Sequence, residues 1–249
     1  MAFTATKSIN LVKASIQYAS IAGTYGLTSW QAFTVEVWVN FASLPPSTGT
    51  HEVLTIGWAT IGARVRFTNT GGIYFLQGFR HAWSTDTTFI DSAVPLTSGQ
   101  WHHVALSKDA SNNAKLYFDG VIVAAGNLGA GVGATVTANS TVGAGYNNGT
   151  LGQFPWDGNI SLHRVWGVVR TPDEIKTSKC TIFGSAQTNM RAEHSLDNVY
   201  TDASGNAYTL TGVNTPTFTS LIPSICEASL GSVLKKSLRP RPFAPGISR

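Results

Sequence analysis

WHHVALSKDASNNAKLYFDGVIV, residues 101–123, decides the fold. His102, Val104 and Leu106 alternate with their neighbours and share one face of a strand. A polar turn at residues 109–113 follows, and then a second alternating run sets Leu116 and Phe118 against Lys115 and Tyr117. Asp119-Gly120 separates that run from Val121-Ile122-Val123. An Asp-Gly pair between apolar runs signals a type I′ hairpin turn, because both central residues need positive φ. The stretch therefore predicts a three-stranded antiparallel meander.

The same grammar extends outward. In residues 30–40, Phe33, Val35, Val37 and Val39 share one face while Thr34, Glu36 and Trp38 take the other, and a tryptophan opposite valines implies that both faces are covered. Pro45-Pro46 opens a loop, and further strands are expected at 52–58, 63–68 and 73–79, the last two joined by a turn at Gly71-Gly72. Residues 8–21 alternate weakly and predict one or two edge strands. Downstream, strands are expected at 141–144 and 159–166, and two more within 190–219 around a turn at 202–206. Thr171-Pro172-Asp173-Glu174 marks one short helix: a threonine N-cap, proline at the first helical position, and the glutamate of a capping box.

Composition agrees with many short strands and tight turns. Of the 249 residues, 43% are hydrophobic and only 12% charged, against about 25% charged in typical soluble domains. The net charge of +4 is misleading, because Lys235, Lys236, Arg239, Arg241 and Arg249 all lie in the last fifteen residues, which hold no acid. Taking these five from the 17 Lys and Arg leaves 12, against 13 Asp and Glu. The body is near neutral and offers no nucleic-acid face. No stretch has the length of a membrane span, and the N-terminus MAFTATKSINLVKAS has no apolar core of signal-peptide length. The expectation is a chain made in a cytoplasm, with Cys180 and Cys226 as free thiols.

Four pieces of the sequence, FTVEVWVN (33–40), GQWHHVALSKDASNNAKLYFDGVIV (99–123), WDGNISLHRVWGVVRTPDEI (156–175) and DASGNAYTLTG (202–212), resemble in order and spacing the concanavalin A-like superfamily, particularly its laminin G-like and pentraxin-like domains. The resemblance implies an all-β, two-sheet antiparallel jelly-roll sandwich. On that reading residues 1–233 form the jelly roll and residues 234–249, LKKSLRPRPFAPGISR, an extended, basic, proline-rich arm. Members of the superfamily bind sugars, bind proteins or hydrolyse polysaccharides, so the site must decide.

A glycosidase needs paired carboxylates. The five glutamates, at 36, 52, 174, 193 and 227, have no carboxylate two residues away, which points away from an enzyme. The 143–148 loop, where pentraxin-like calcium binding would sit, has amides and no acid; any calcium site would be weak and would draw on Asp157 or Asp202, which equally suit turn bracing. No other cofactor is implied. His102 and His103 point to opposite faces and cannot share a metal. Metal-free sugar binding needs an aromatic platform with hydrogen-bonding partners. Tyr146, Asn147, Asn148, Trp156 and Asp157 offer one candidate and Trp83 with Asp86 another, although tryptophans of a sandwich also serve as packing.

The sequence thus predicts a non-enzymatic structural or interaction protein. The leading expectation is a bacteriophage virion decoration or fibre subunit with a lectin-like outward domain. It would be homo-oligomeric, anchored in a capsid or tail through Lys235, Lys236, Arg239, Arg241, Phe243 and Arg249, and able to touch surface glycans. The alternative is a carbohydrate-binding module of a bacterial surface or secreted system.

Overall fold

A computed structural model of the chain describes residues 5–27, 30–57, 62–82, 85–130, 139–147 and 150–223, with the backbone alone at 81–82, 85–88 and 146–147. Two antiparallel sheets pack face to face as a jelly-roll sandwich. The first sheet runs, in spatial order, β10 (Val121–Asn127), β9 (Asn113–Phe118), β8 (Trp101–Lys108), β3 (Phe33–Phe41), β14 (Gly158–Trp166), β1 (Ser8–Leu11) and β17 (Thr217–Thr219), with β15 (Met190–His194) also paired to β14. The second runs β16 (Thr211–Val213), β2 (Tyr18–Ile21), β11 (Ser140–Val142), β4 (Thr50–Ile56), β5 (Gly62–Thr70), β6 (Ile73–Ala82) and β7 (Thr85–Ala93). A small hairpin, β12 (Gly145–Asn147) with β13 (Thr150–Gln153), lies beside β4. Among the described residues no helix is long and apolar enough to cross a membrane.

The expected meander is present as β8, β9 and β10. Asp119 and Gly120 have φ of 53° and 86°, as a type I′ turn requires. Gly71 and Gly72, at 62° and 90°, turn β5 into β6 in the same way. Residues 8–21 correct the expectation of edge strands: β1 lies between β14 and β17, and β2 between β11 and β16. Three short strands, rather than two, come from residues 190–219: β17 and β16 cover those edges, and β15 pairs with β14.

The inward faces build the core. Val35, Val37, Val39 and Phe41 of β3 meet Val53, Leu54, Val65, Phe67 and Leu76 from the opposite sheet, all at most 1% exposed. The outward face of β3 is buried as well: Thr34, Glu36 and Trp38 are fully inaccessible. Their cover is helix α1 (Pro172–Ser178) and the chain that follows it. The helix begins on the predicted capping box, with Thr171 Oγ1 accepting from Glu174 N at 3.2 Å and Glu174 Oε2 accepting from Thr171 N at 2.7 Å.

Glu36 holds this cover to the sheet. Its carboxylate accepts from Arg164 Nη2 at 2.9 Å, Trp166 Nε1 at 2.8 Å and Arg170 Nη1 at 3.0 Å. His103 Nε2 lies 3.3 Å away on the remaining side. Burial by itself would raise the carboxyl's pKa; Arg164, then His103 and Arg170, outweigh it and hold Glu36 ionised far below the usual carboxylate range. Arg164 Nη1 also donates to the carbonyls of Ser178 and Thr181 at 3.0 and 2.8 Å, which ties the end of α1 to β14. Trp38 Nε1 donates to Lys179 O at 2.7 Å.

Cys180 packs in this layer beside Trp38, Trp101 and Leu162. It is disulfide-bonded, which corrects the expectation of a free thiol; Cys226 lies outside the described residues. The thiol expectation leaned on the composition of the N-terminal residues, and that says nothing about which sulfurs the fold brings together.

Removing one member of a buried ion cluster leaves the others charged and unpaired. Glu36→Gln should therefore lower unfolding free energy by about 3–5 kcal/mol in chemical denaturation. A loss below about 1 kcal/mol, the range of an exposed pair, would show that the cluster does not hold the layer.

Candidate functional site

The outward face of the second sheet differs from that of the first in chemistry and in access. Strand register places Glu52 beside Arg66, Arg66 beside Gln77 and Gln77 beside Asp91. One polar row therefore crosses β4, β5, β6 and β7 at right angles to the strands. The adjacent row, two residues along β5, β6 and β7 and three along β4 because of the bulge after Glu52, holds Thr55, Arg64, Phe79 and Phe89. Side chains directly opposite on one face are neighbours, so the two rows form a continuous polar and aromatic surface.

The two rows are cross-braced. Arg64 clasps Glu52 bidentately, Nε to Oε1 at 2.7 Å and Nη2 to Oε2 at 3.0 Å. Its guanidinium lies 5.0 Å from the Phe79 ring centroid, and that of Arg66 lies 4.3 Å from the same ring. Arg66 Nε donates to Gln77 Oε1 at 2.8 Å, and Gln77 Nε2 donates to Asp91 Oδ2 at 3.4 Å. Access increases along the rows. Glu52, Arg64 and Phe79 are buried, Arg66 and Gln77 half-buried, and Asp91 exposed, while Phe89 is 53% exposed. The open part over β6 and β7 thus offers an apolar ring next to paired donors and acceptors held in register by the sheet.

Hairpin β12–β13 bounds the closed end. It can lie there because residue 145 is glycine: a Cβ would stand 2.6 Å from Arg64 Nη2 and 2.9 Å from Glu52 Cγ. The backbone N–H of Glu52 donates to Phe154 O at 2.8 Å, fixing the chain that leaves the hairpin.

The sequence-derived site residues divide accordingly. Tyr146 and Asn147 lie on β12, in register with Leu151 and Thr150, on the hairpin beside the Glu52 and Arg64 pair. Trp83 and Asn148 lie outside the described residues, as do Lys235, Lys236, Arg239, Arg241, Phe243 and Arg249. Trp156 requires a correction. It is wholly buried between the sheets, 4.4 Å from the Phe41 ring and 6.0 Å from His51, with Nε1 donating to Asn40 O at 3.3 Å, and presents no face to a sugar. Asp157 braces two loops: its Oδ1 accepts from Lys13 N at 3.3 Å and its Oδ2 from the Ser43 hydroxyl. Asp202 accepts from the backbone N–H groups of Glu193, Ser204 and Tyr208 at 2.9–3.0 Å. Both carboxylates therefore face donors, which suits turn bracing rather than cation ligation.

The predicted opposition of the two histidines is seen directly. His102 stacks on Phe118 at 4.6 Å, and His103 meets Trp38 on the other face at 5.3 Å. Sequence reasoning missed Arg64, Arg66, Gln77, Phe79, Phe89 and Asp91. Alternation alone places Arg64 and Arg66 on one face, but joining them to Gln77 and Asp91 needs the register of two hairpins, β5–β6 and β6–β7.

Residues 14–176 match the family model described as the concanavalin A-like lectin/glucanases superfamily. No curated protein matches the sequence. Among solved structures, the chain is similar to a Bacteroides ovatus protein to which carbohydrate binding has been attributed, with a TM-score of 0.64 and 20% identity over 86% of this chain and 60% of that one. The chain thus spans 60% of that protein's length. It is also similar to the CBM40 of a Ruminococcus gnavus sialidase bound to α2,3-sialyllactose (TM-score 0.52, 16% identity, 71% of this chain and 98% of that one). A third similarity is to the enzymatically active domain of tailspike protein 2 of bacteriophage CBA120 (TM-score 0.51, 13% identity, 79% of this chain and 34% of that one). At these identities the likenesses establish the fold.

If Trp156 is core, its truncation is a stability lesion. Trp156→Ala should cost about 3–5 kcal/mol in chemical denaturation, and a variant as stable as the parent would return Trp156 to the surface.

Proposed function

We propose that this chain, which belongs to the concanavalin A-like lectin/glucanase superfamily, is a non-enzymatic glycan-binding domain whose ligand lies across β5, β6 and β7 on the outward face of the second sheet. The observation that carries this reading is the pair of rows Glu52, Arg66, Gln77, Asp91 and Thr55, Arg64, Phe79, Phe89. A sugar needs an apolar face for its C–H surface and fixed partners for its hydroxyls. Phe89 supplies the first, and Arg66, Gln77 and Asp91 the second. Neighbouring strands are about 4.8 Å apart, close to the length of one sugar residue. A linear glycan running along the rows would therefore meet a new hydrogen-bonding side chain with each sugar.

The face is also suited to a ligand that is not hydrolysed. Its two carboxylates in the polar row, Glu52 and Asp91, stand at opposite ends of the row, three strands apart. Glu52 is occupied by a bidentate arginine, so neither arrangement supplies the paired acid and nucleophile of glycoside hydrolysis.

The finer reading places this domain on a virion, as a decoration or fibre subunit. It draws support from the likeness of fold to a tailspike domain and from the basic, proline-rich composition of residues 234–249. A chain truncated after residue 233 should keep its glycan affinity and lose incorporation into particles; full occupancy by the truncated chain would refute the anchor.

Glycan-array screening followed by titration should find a ligand. Gln77→Ala, Phe89→Ala and Asp91→Ala should each weaken it about tenfold or more, which is about 1.4 kcal/mol, with melting temperatures near that of the parent. Silence across the array, or variants that bind as the parent does, would refute the site.

A further inference from the structure

Beneath the turns that close the first sheet lies a titratable cluster that the proposed ligand face does not use. His163 on β14 and His194 on β15 are cross-strand partners. They are 1% and 0% exposed. Their Nδ1 atoms are 3.2 Å apart, with ring planes inclined by 21° and centroids separated by 5.4 Å. That separation is nearly the sum of the nitrogen gap and the two ring radii, so the nitrogens meet head to head along a line joining the rings.

Hydrogen bonding fixes the proton count. His194 Nε2 lies 2.7 Å from Tyr208 O, a carbonyl that can only accept. His194 therefore carries its proton on Nε2, leaving Nδ1 as the acceptor, and His163 must donate from Nδ1. One shared proton joins β14 to β15, and a second N–H bond joins β15 to the loop through Tyr208. A proton added at His194 Nδ1 would set two N–H groups head to head at 3.2 Å, where no bond can form.

We infer that the His163 and His194 pair is an acid-sensitive latch, and that protonation of His194 at Nδ1 frees β15 and the turn at residues 195–210 from β14 while the rest of the sandwich stays closed. The groups packed around the pair give an added charge little relief. Tyr25, from the loop after β2, contacts both imidazoles at 5.5 and 6.1 Å, and Tyr208 contacts Tyr25 at 6.0 Å. Burial first, then Asp202, pushes the Tyr25 phenol well above its ordinary pKa, so it brings no charge to the pair. On β14, Arg164 adds positive charge next to His163. On β15, Glu193 turns its carboxylate to the backbone N–H groups of Phe183 and Gly184 at 2.9 and 2.7 Å. Asp202 is the acid that acts on His194 from the loop, and its oxygens are already held by three backbone N–H groups.

Burial first, then His194 and Arg164, push His163 well below its ordinary pKa, and burial pushes His194 down as well. The sign follows directly. The unfolded chain binds protons from about pH 6.5 downward while the folded pair resists them, so the stabilisation is complete above about pH 6.5 and is lost as pH falls below it. His51 and His103 are depressed too, and they sit in the core and under α1, so a fall in overall stability alone would not identify the latch. A local readout does.

The test is amide hydrogen exchange on the full chain at about pH 7.5 and about pH 4.5, corrected for the intrinsic chemical rate. Protection of the β15 amides and of Ala203 and Tyr208 should fall at least tenfold more at the lower pH than protection of β3 and β8. The double variant His163→Asn and His194→Gln, which keeps the two donors without a titrating ring, should abolish that difference. In the parent chain, histidine ring resonances read by NMR keep the test decisive even if the double variant fails to fold. The His163 and His194 resonances should move only over the pH range in which the segment loses protection. Uniform loss of protection across all strands, or titration of either ring near its ordinary pKa with the segment still protected, would overturn the latch.

Discussion

Glu36 sits in the middle of a central strand, out of reach of water, with Arg164, Trp166, Arg170 and His103 turned towards it. An ionised carboxylate in that position is tolerable only when its oxygens are filled by donors. Arg164 and Trp166 from β14 and Arg170 from the approach to α1 meet that demand. Thr34, one turn of the pleat away, completes the attachment by donating to Val168 O and accepting from Arg170 N. As a result the central strands of the first sheet, β3, β8 and β14, are buried on both faces. Its outward side is spent on holding a helix, and this leaves the outward side of the second sheet as the broad face available to a ligand.

The two sheets use the same chemistry to different ends. On the first, a buried carboxylate gathers several donors and closes a layer over itself. On the second, Glu52 is clasped bidentately by Arg64, and the row runs on from Glu52 through Arg66 and Gln77 to an exposed Asp91. Because the closed end is braced by the ion pair and by the hairpin that Gly145 lets approach, the open end presents side chains already fixed in register. Preorganisation of that kind limits the ordering cost of binding, and it is what a carbohydrate face needs, since each hydroxyl contact is weak.

Much of this was legible in the sequence. The strands around Asp119-Gly120 and Gly71-Gly72, the capping box at Thr171 and the double burial of β3 all follow from local rules, because turn geometry and side-chain alternation act over a few residues. The Glu36 cluster was not legible, since its partners lie 128 to 134 residues away. The proposed ligand face was hidden by register: the shift between Glu52 and Leu54 decides which arginine stands opposite which β4 residue, and no local pattern announces it. Trp156 misled because a tryptophan next to an Asp-Gly turn has the composition of an exposed sugar platform, while its indole fills the space between Phe41, His51 and Phe67. The disulfide at Cys180 was missed because two cysteines fix no framework by spacing alone.

The central claim is that the ligand face is the outward side of β5, β6 and β7, and amide chemical-shift mapping with a glycan found to bind tests it most directly. The account predicts that the shifted amides cluster at Arg66, Gln77, Phe89 and Asp91 and their strand neighbours, leaving β3, β14 and α1 still. Shifts gathered instead on the first sheet, or on its covering helix, would contradict it.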